Sequence, residues 1–380
     1  CQRRGRGSVR RYAHAALRFL HALLNQLSIE NIRNITAMSL SLDEGLTAFT
    51  GDNGAGKTSV LDAVHLIGTG KPFSTHRINH IIHREASSVQ VVGRLSAPVK
   101  AVLGVRRDRG GGGEARISGA PVKTLSELAK AMPLVVMNAE TLNVIRDGPE
   151  GRRKFIDSFV FHVEQDFAQT SRRYQNALKQ RNTLLRDRRS SDDAVWVRDL
   201  AVTGELLCAA RSRAVDSLAK ALEGVLSDVD ISLPSWRLLQ RPGWGGGLSL
   251  YDALGASSDS DKHRGFTQVG PHRGDVVFMV EGSPAHEVLS RGQMRVLMAA
   301  TKVAQARVMR RDTGVSPLLL VDDVAAELDA NNAAGLFRSM VSDGFQVLAT
   351  MVDATGASAW TENRLSNVFH VEHGTIIDGN

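Results

Sequence analysis

Eight consecutive residues, Gly51-Asp52-Asn53-Gly54-Ala55-Gly56-Lys57-Thr58, followed by Ser59, carry the clearest chemistry in this chain. They satisfy the pattern G-x-x-x-x-G-K-[ST] at every fixed position. The glycines let backbone N–H groups close around phosphate oxygens without side-chain clashes, and a following helix turns its positive end toward them. Lys57 is then placed to reach the β- and γ-phosphates, and the Thr58 hydroxyl to ligate Mg²⁺. ATP and Mg²⁺ are therefore the expected ligands.

Such a loop needs an acidic partner at the end of a buried strand. Leu318-Leu-Leu-Val-Asp322-Asp323 supplies one. Its four apolar residues demand cover on both faces, as in the middle of a parallel sheet, which brings Asp322 out beside the metal. Asp323 is placed to orient or deprotonate the attacking water. A third group, Leu289-Ser290-Arg-Gly-Gln293, opens a helix about thirty residues earlier, and the exposed amides at that helix start form an anion site.

These residues need elements to hold them. Residues 27–50 read as two strands that run into the glycine loop, with an apolar set at Leu27, Ile29, Ile32 and Ile35. From Thr58 the apolar positions Val60, Leu61, Val64 and Ile67 share one helical face. Residues 88–119 read as antiparallel strands around a turn at Gly110–Gly113. The span 149–228 has helical periodicity, and 241–265 reads as a mobile Gly/Ser linker. Further strands are expected at Val276–Val280, Leu318–Val321, Val347–Thr350 and Val368–His373. Strand, loop and helix, then a helical insert, then buried strands describe an α/β phosphate-loop ATPase split by a helical lobe. The expected division is an ATPase lobe of residues 27–140 with 312–380, and a helical lobe of residues 141–311 carrying Ser290.

Composition narrows the partners. The net charge is +7, but residues 1–26 hold six arginines and no acid, so the rest of the chain carries only +1. The basic start reads as an overextended, disordered beginning, with a transit peptide or a basic arm as the other readings. Two cysteines exclude a disulfide framework, and no apolar stretch is long enough to cross a membrane, so a cytoplasmic protein is expected.

The order of the three motifs resembles the ABC ATPases, in which the signature serine meets the γ-phosphate held by an opposite subunit; Glu327-Leu-Asp329 is similar to that family's D-loop. Segments between the motifs resemble the RecF family of bacterial recombination mediators more closely. They are Leu27-Ser-Ile-Glu-Asn-Ile-Arg33-Asn34, Gly148-Pro-Glu-Gly-Arg-Arg-Lys-Phe-Ile-Asp157, Tyr174-Gln-Asn-Ala-Leu-Lys-Gln-Arg-Asn182 and Gly270-Pro-His-Arg-Gly-Asp275. The resemblance implies an ATPase head without a long coiled coil and an ATP-dependent homodimer. It also implies binding to single- and double-stranded DNA, work with RecO and RecR in loading recombinase at gaps, and Arg33, Asn34 and Gln293 near the nucleotide. Only 232 residues separate Lys57 from Ser290, and no heptad pattern is sustained there.

Departures from the wider ABC pattern are Asp-Asp in place of Asp-Glu, Ala349-Thr350-Met351 without a switch histidine, and Met137-Asn-Ala-Glu140 without the usual metal-sensing glutamine. The first two suggest slow turnover, and Glu140 is expected to replace the glutamine at the metal. For DNA, the candidates are Lys71, Arg77, Arg152, Arg153, Lys179 and Arg181, with further basic residues through Arg189. Residues 152–189 hold ten lysines and arginines with little aromatic interleaving, which favours backbone contact over base stacking. Arg152 and Arg153 carry a competing reading as residues near the nucleotide or between lobes. The ATPase subunit of a membrane transporter is the alternative function.

Overall fold

The computed structural model describes residues 20–21, 23–75, 77–97, 100–187, 193–245, 247–352 and 365–379. Arg188 and Arg189, and the first 19 residues, lie outside them. The apolar runs seen in the sequence form the centre of a six-stranded sheet. Its order is Thr375–Gly379, Leu365–Glu372, Leu46–Thr50, Val347–Thr350, Leu318–Asp322 and Leu134–Met137. All neighbouring pairs run parallel except the two C-terminal strands. Leu318, Leu319 and Leu320 are fully buried and Val321 nearly so, as a strand covered on both faces requires.

A second six-stranded sheet is antiparallel, with Ile35–Ser41, Leu23–Ile32, Ser88–Ala97 and Ala101–Asp108 as its first four strands. The helix Lys57–Thr69 packs between the two sheets. Val60, Leu61, Val64 and Ile67 share one core with Leu27, Ile29 and Val91 on one side and Leu320 and Leu348 on the other. Residues 27–50 therefore make three strands rather than two. The chain reverses at Arg33-Asn34, where Arg33 takes φ 49°, and this hairpin lays both residues against the glycine loop.

The ordered fold also starts earlier than Leu27. A strand covers Leu23–Ile32, Leu24 is fully buried, and the Gln346 amide brackets it, accepting from Leu24 N–H at 2.9 Å and donating to Leu24 O at 2.8 Å. A boundary at 26 cuts through this pairing.

The second lobe is built on the helices Pro149–Val163, Phe167–Arg186 and the 35-residue Ala194–Asp228. Residues 241–265 do not form a mobile linker. They contain helices at Leu250–Ala256 and Ser258–Arg264, whose Leu250, Leu254 and Asp261 are buried. One residue that binds this segment, through Asp261, is Arg181, one of the expected DNA contacts. It is 1% exposed, and its guanidinium donates to Asp193 at 3.1 Å, Asp261 at 2.7 Å and Thr267 Oγ1 at 2.9 Å. A buried arginine with two carboxylate partners cannot serve as a DNA surface.

Arg152 and Arg153 are committed in the same way. Arg152 makes a two-pronged bond to Asp275, at 2.9 and 2.7 Å, and Arg153 donates to Gly274 O at 2.6 Å. Arg211 adds bonds to Asp157 and to Pro271 O, and Tyr174 OH lies 2.6 Å from His272 Nδ1. The Gly270–Asp275 segment is thus fastened to three helices inside one lobe. Its partners neither join the two lobes nor reach the nucleotide loop.

Candidate nucleotide site

The loop at Gly51–Thr58 is shaped by backbone needs that only glycine meets. Gly51 takes φ 134°, and a Cβ there would collide with Val371 O. Gly56, at φ 119°, precedes the helix as its N-cap and provides no side-chain cap, so the first helical amides keep their hydrogen-bonding capacity for phosphate. Asn34 braces the loop from outside, donating to Ala55 O at 2.9 Å and accepting from Ser59 Oγ at 3.4 Å. Lys57 lies over the loop with Nζ 2.6 Å from Gly51 O and 2.9 Å from Asp52 O.

A cavity of about 370 Å³ opens on this loop. Asn34, Asn53, Gly54, Gly56 and Lys57–Ser59 form one side, and Arg33, Asp323 and Thr350 complete it. Gly51, Asp52 and Ala55 shape the loop's backbone without lining the cavity. Arg33 is steered by Asp62, a fully buried carboxylate 3.0 Å from its Nη2, and Asp62 is held by the N–H groups of Phe73 and Ser74 and by the Ser74 hydroxyl.

Behind Thr58 lies Asp322. Its Oδ1 accepts from Thr58 Oγ1 at 3.0 Å and from Thr350 Oγ1 at 2.8 Å. Burial pushes its carboxyl pKa up from the ordinary range, against the opposing pull of those two hydroxyls. A desolvated carboxylate bonded to a hydroxyl at the start of the phosphate helix fits a divalent cation, because the ion's charge offsets the cost of ionising the buried acid. Thr58 and Asp322 are the residues that would hold Mg²⁺, and the ion would supply charge neutralisation for the phosphates. Asp323 follows in the left-handed conformation, φ 53°, with its N–H donating to Thr350 Oγ1 at 2.9 Å and its side chain exposed to the cavity. Backbone in this region is costly for a non-glycine residue and is held here by a specific bond.

Residues 23–377 match the family profile described as RecF/RecN/SMC N terminal domain. A curated relative from Stutzerimonas stutzeri, named DNA replication and repair protein RecF, is 36% identical over 93% of this chain and 96% of its own length. A relative of the same name from Chromohalobacter salexigens is 35% identical over 93% and 99%. This chain belongs to the RecF family. Its fold agrees. The structure titled recombination mediator protein RecF-ATP in the RecFOR pathway superposes with a TM-score of 0.83 at 22% identity, covering 97% of this chain and 99% of that one. An Smc head bound to the C-winged helix domain of ScpA gives 0.55 at 15% identity, over 93% and 95%. The RecF-type head is an ABC-like α/β ATPase, and among the described residues it carries no long coiled coil.

Within this RecF-family chain the structure brings Lys57, Thr58, Asp322 and Asp323 together with Arg33 and Asn34. It does not bring Ser290, Gln293 or Glu140 to them. Ser290 caps the helix Arg291–Thr313: its Oγ accepts from Gln293 N–H, and Gln293 Oε1 accepts from Ser290 N–H at 2.9 Å. Both side chains are exposed and outside the protomer's own cavity. Glu140 sits exposed in the first turn of the short helix Ala139–Leu142 and lines a different cavity, so its expected place at the metal is not met. The strand register explains why. Met137 pairs with Val321, which puts Asn138 beside Asp322, and the chain has turned into a helix before Glu140.

Thr350 was missed by sequence reasoning. The family pattern places a histidine at this position, whereas here a hydroxyl joins Asp322 to the Asp323 amide. Asp62 was missed as well, although a carboxylate between Leu61 and Ala63 on the buried face of a helix is a legible signal of an internal partner.

Proposed function

We propose that this chain is an ATP-dependent DNA-binding ATPase of recombinational repair and replication, in which ATP closes a head-to-tail homodimer and so creates the DNA-binding state. The observation that carries this reading is the separation of Ser290 from the cavity of its own protomer. The serine and Gln293 lie exposed at the start of a 23-residue helix, engaged with each other in a capping box, and this helix start is where a second protomer's γ-phosphate would be received.

Chemistry within each site follows from the residues in place. The loop amides and Lys57 bind and orient the phosphates, Thr350 fixes the Asp322–Asp323 peptide, and Asp323 holds or accepts a proton from water in line with the γ-phosphate. An aspartate on a strained turn, with no switch histidine nearby in sequence, supports slow turnover.

Among the proposed DNA contacts, Lys71, Arg77 and Lys179 keep exposed side chains, joined on the helix Phe167–Arg186 by Arg172 and Arg186. Partnership with RecR and RecO is proposed on the strength of the family. The transporter alternative draws no support from a chain whose relatives are RecF and SMC heads. The test is binding to gapped DNA with and without ATP, comparing the parent with Lys57→Met and Ser290→Arg. ATP is expected to tighten binding in the parent alone, and equal, nucleotide-independent binding by all three proteins would sink the clamp.

A further inference from the structure

A second cavity, of about 480 Å³, lies between the signature helix Arg291–Thr313, the helix Pro149–Val163, the edge strand Leu134–Met137 and the C-terminal half of the phosphate-loop helix. Its size is that of an ordinary small-molecule pocket. Two of its polar residues lack the partners that burial demands. Lys302 is 7% exposed and its ammonium has no ion pair with any described carboxylate; the ring of Phe155, 4.8 Å from Nζ, offers partial compensation. Gln305, one turn along the same helix and 3% exposed, has an amide nitrogen with no hydrogen-bond partner.

Burial brings the Lys302 pKa down to about 8, which leaves the ammonium mostly charged at neutral pH. A buried cation without an ion pair and a buried donor without a partner are each costly, and an acceptor entering the cavity would offset both costs at once. The one carboxylate among the lining residues, Glu140, is exposed and does not pair with Lys302. Burial drives the His162 imidazole pKa down to about 4, so it is neutral. Leu134, Phe159 and Met309 make much of the remaining wall apolar.

We infer that this cavity is a binding site for a small organic anion, a carboxylate carried on an apolar body, with Lys302 and Gln305 as its two donors. One carboxylate offers enough lone pairs for both donors at once, and the hydrocarbon part covers the apolar wall. The site is separate from the nucleotide cavity, and none of the residues assigned to ATP or DNA lines it except Glu140, which the geometry has removed from the metal.

Isothermal titration of the full-length protein with octanoate, with octanol and octylamine as the neutral and cationic analogues, tests this. Octanoate is expected to bind saturably, octanol about tenfold or more weakly, and octylamine not at all. Lys302→Met and Gln305→Leu, each checked for native circular dichroism and retained ATP binding, should each weaken octanoate without strengthening octanol. Absence of octanoate binding, or equal binding of octanoate and octanol by the parent protein, overturns the inference without recourse to any variant. Octanoate binding that survives Lys302→Met in a folded protein overturns it as well.

Discussion

Thr350 stands where the wider ABC pattern has a histidine, and its hydroxyl does two things at once: it donates to Asp322 and accepts from the Asp323 amide. Thr350→Val keeps the volume and deletes both bonds, leaving a buried carboxylate with one donor fewer and Asp323 free to leave its left-handed turn. Each hydrogen bond to a charged group contributes roughly 1.5–3 kcal/mol. Steady-state phosphate release is therefore expected to fall about tenfold to a hundredfold in Thr350→Val, while ATP affinity, which rests on the loop, changes little. Unchanged turnover would show that Asp323 needs no such brace. Asp322 allows a prediction with a sign. Its pKa is raised by burial, so the ionised form is disfavoured in the folded protein. The stability it contributes is present below the ordinary carboxylate range and is lost as pH rises through the raised value. Asp322→Asn removes that cost at neutral pH. Without Mg²⁺ and nucleotide, its melting temperature should exceed the parent's by roughly a few degrees, with the gap closing as the pH drops toward the acid side. A lower melting temperature for Asp322→Asn at neutral pH would reverse this account.

At the level of elements, two basic residues on one helix separate sharply. Lys179 is exposed on Phe167–Arg186, whereas Arg181, two positions on, is buried among Asp193, Asp261 and Thr267. Arg181→Leu strands two carboxylates, and urea denaturation should show a loss of about 3–5 kcal/mol; Lys179→Ala should stay within about 0.5 kcal/mol while lowering the salt dependence of DNA binding. Equal stability of the two variants would contradict the buried network. The contrast also marks how far the sequence was legible. The central strands, the phosphate loop and its helix could be read because long apolar runs and fixed glycine spacing are local signals. The hairpin at Arg33-Asn34 could not be read from periodicity, since Ile32 and Ile35 continue the apolar pattern across the turn. Residues 241–265 looked like a linker because they are rich in glycine and serine, yet they are held by partners distant in sequence: Leu250 N–H donates to Glu205, and Asp261 accepts from Arg181, eighty residues away. Charge runs carry the same blind spot: Arg152, Arg153 and Arg181 are the same residue type as the exposed Arg172 and Arg186, and only their partners, Asp275, Gly274 O and the Asp193–Asp261 pair, reveal which arginines are internal.

For the molecule as a whole, the decisive question is whether one protomer's nucleotide is completed by another's Ser290. Within a protomer the serine is exposed and caps its own helix, and the cavity at Lys57 is lined without it. Complementation turns this geometry into a measurement. Lys57→Met protomers lack phosphate binding but retain Ser290; Ser290→Arg protomers retain Lys57 but present a bulky cation where the γ-phosphate would be received. Each variant alone should be nearly inactive. In a mixed dimer, one site combines both lesions and the other combines an intact Lys57 with an intact Ser290. Equal mixing with free exchange makes about half of the dimers mixed, each with one working site of two, so ATPase activity should recover to about a quarter of the parent's. If Ser290 acted within its own protomer, mixing would restore nothing, because every site would still carry a lesion. Recovery should also depend on protein concentration, falling on dilution as the dimers dissociate. The same mixed preparation should regain ATP-dependent binding to gapped DNA, provided that one closed site suffices to hold the two heads together.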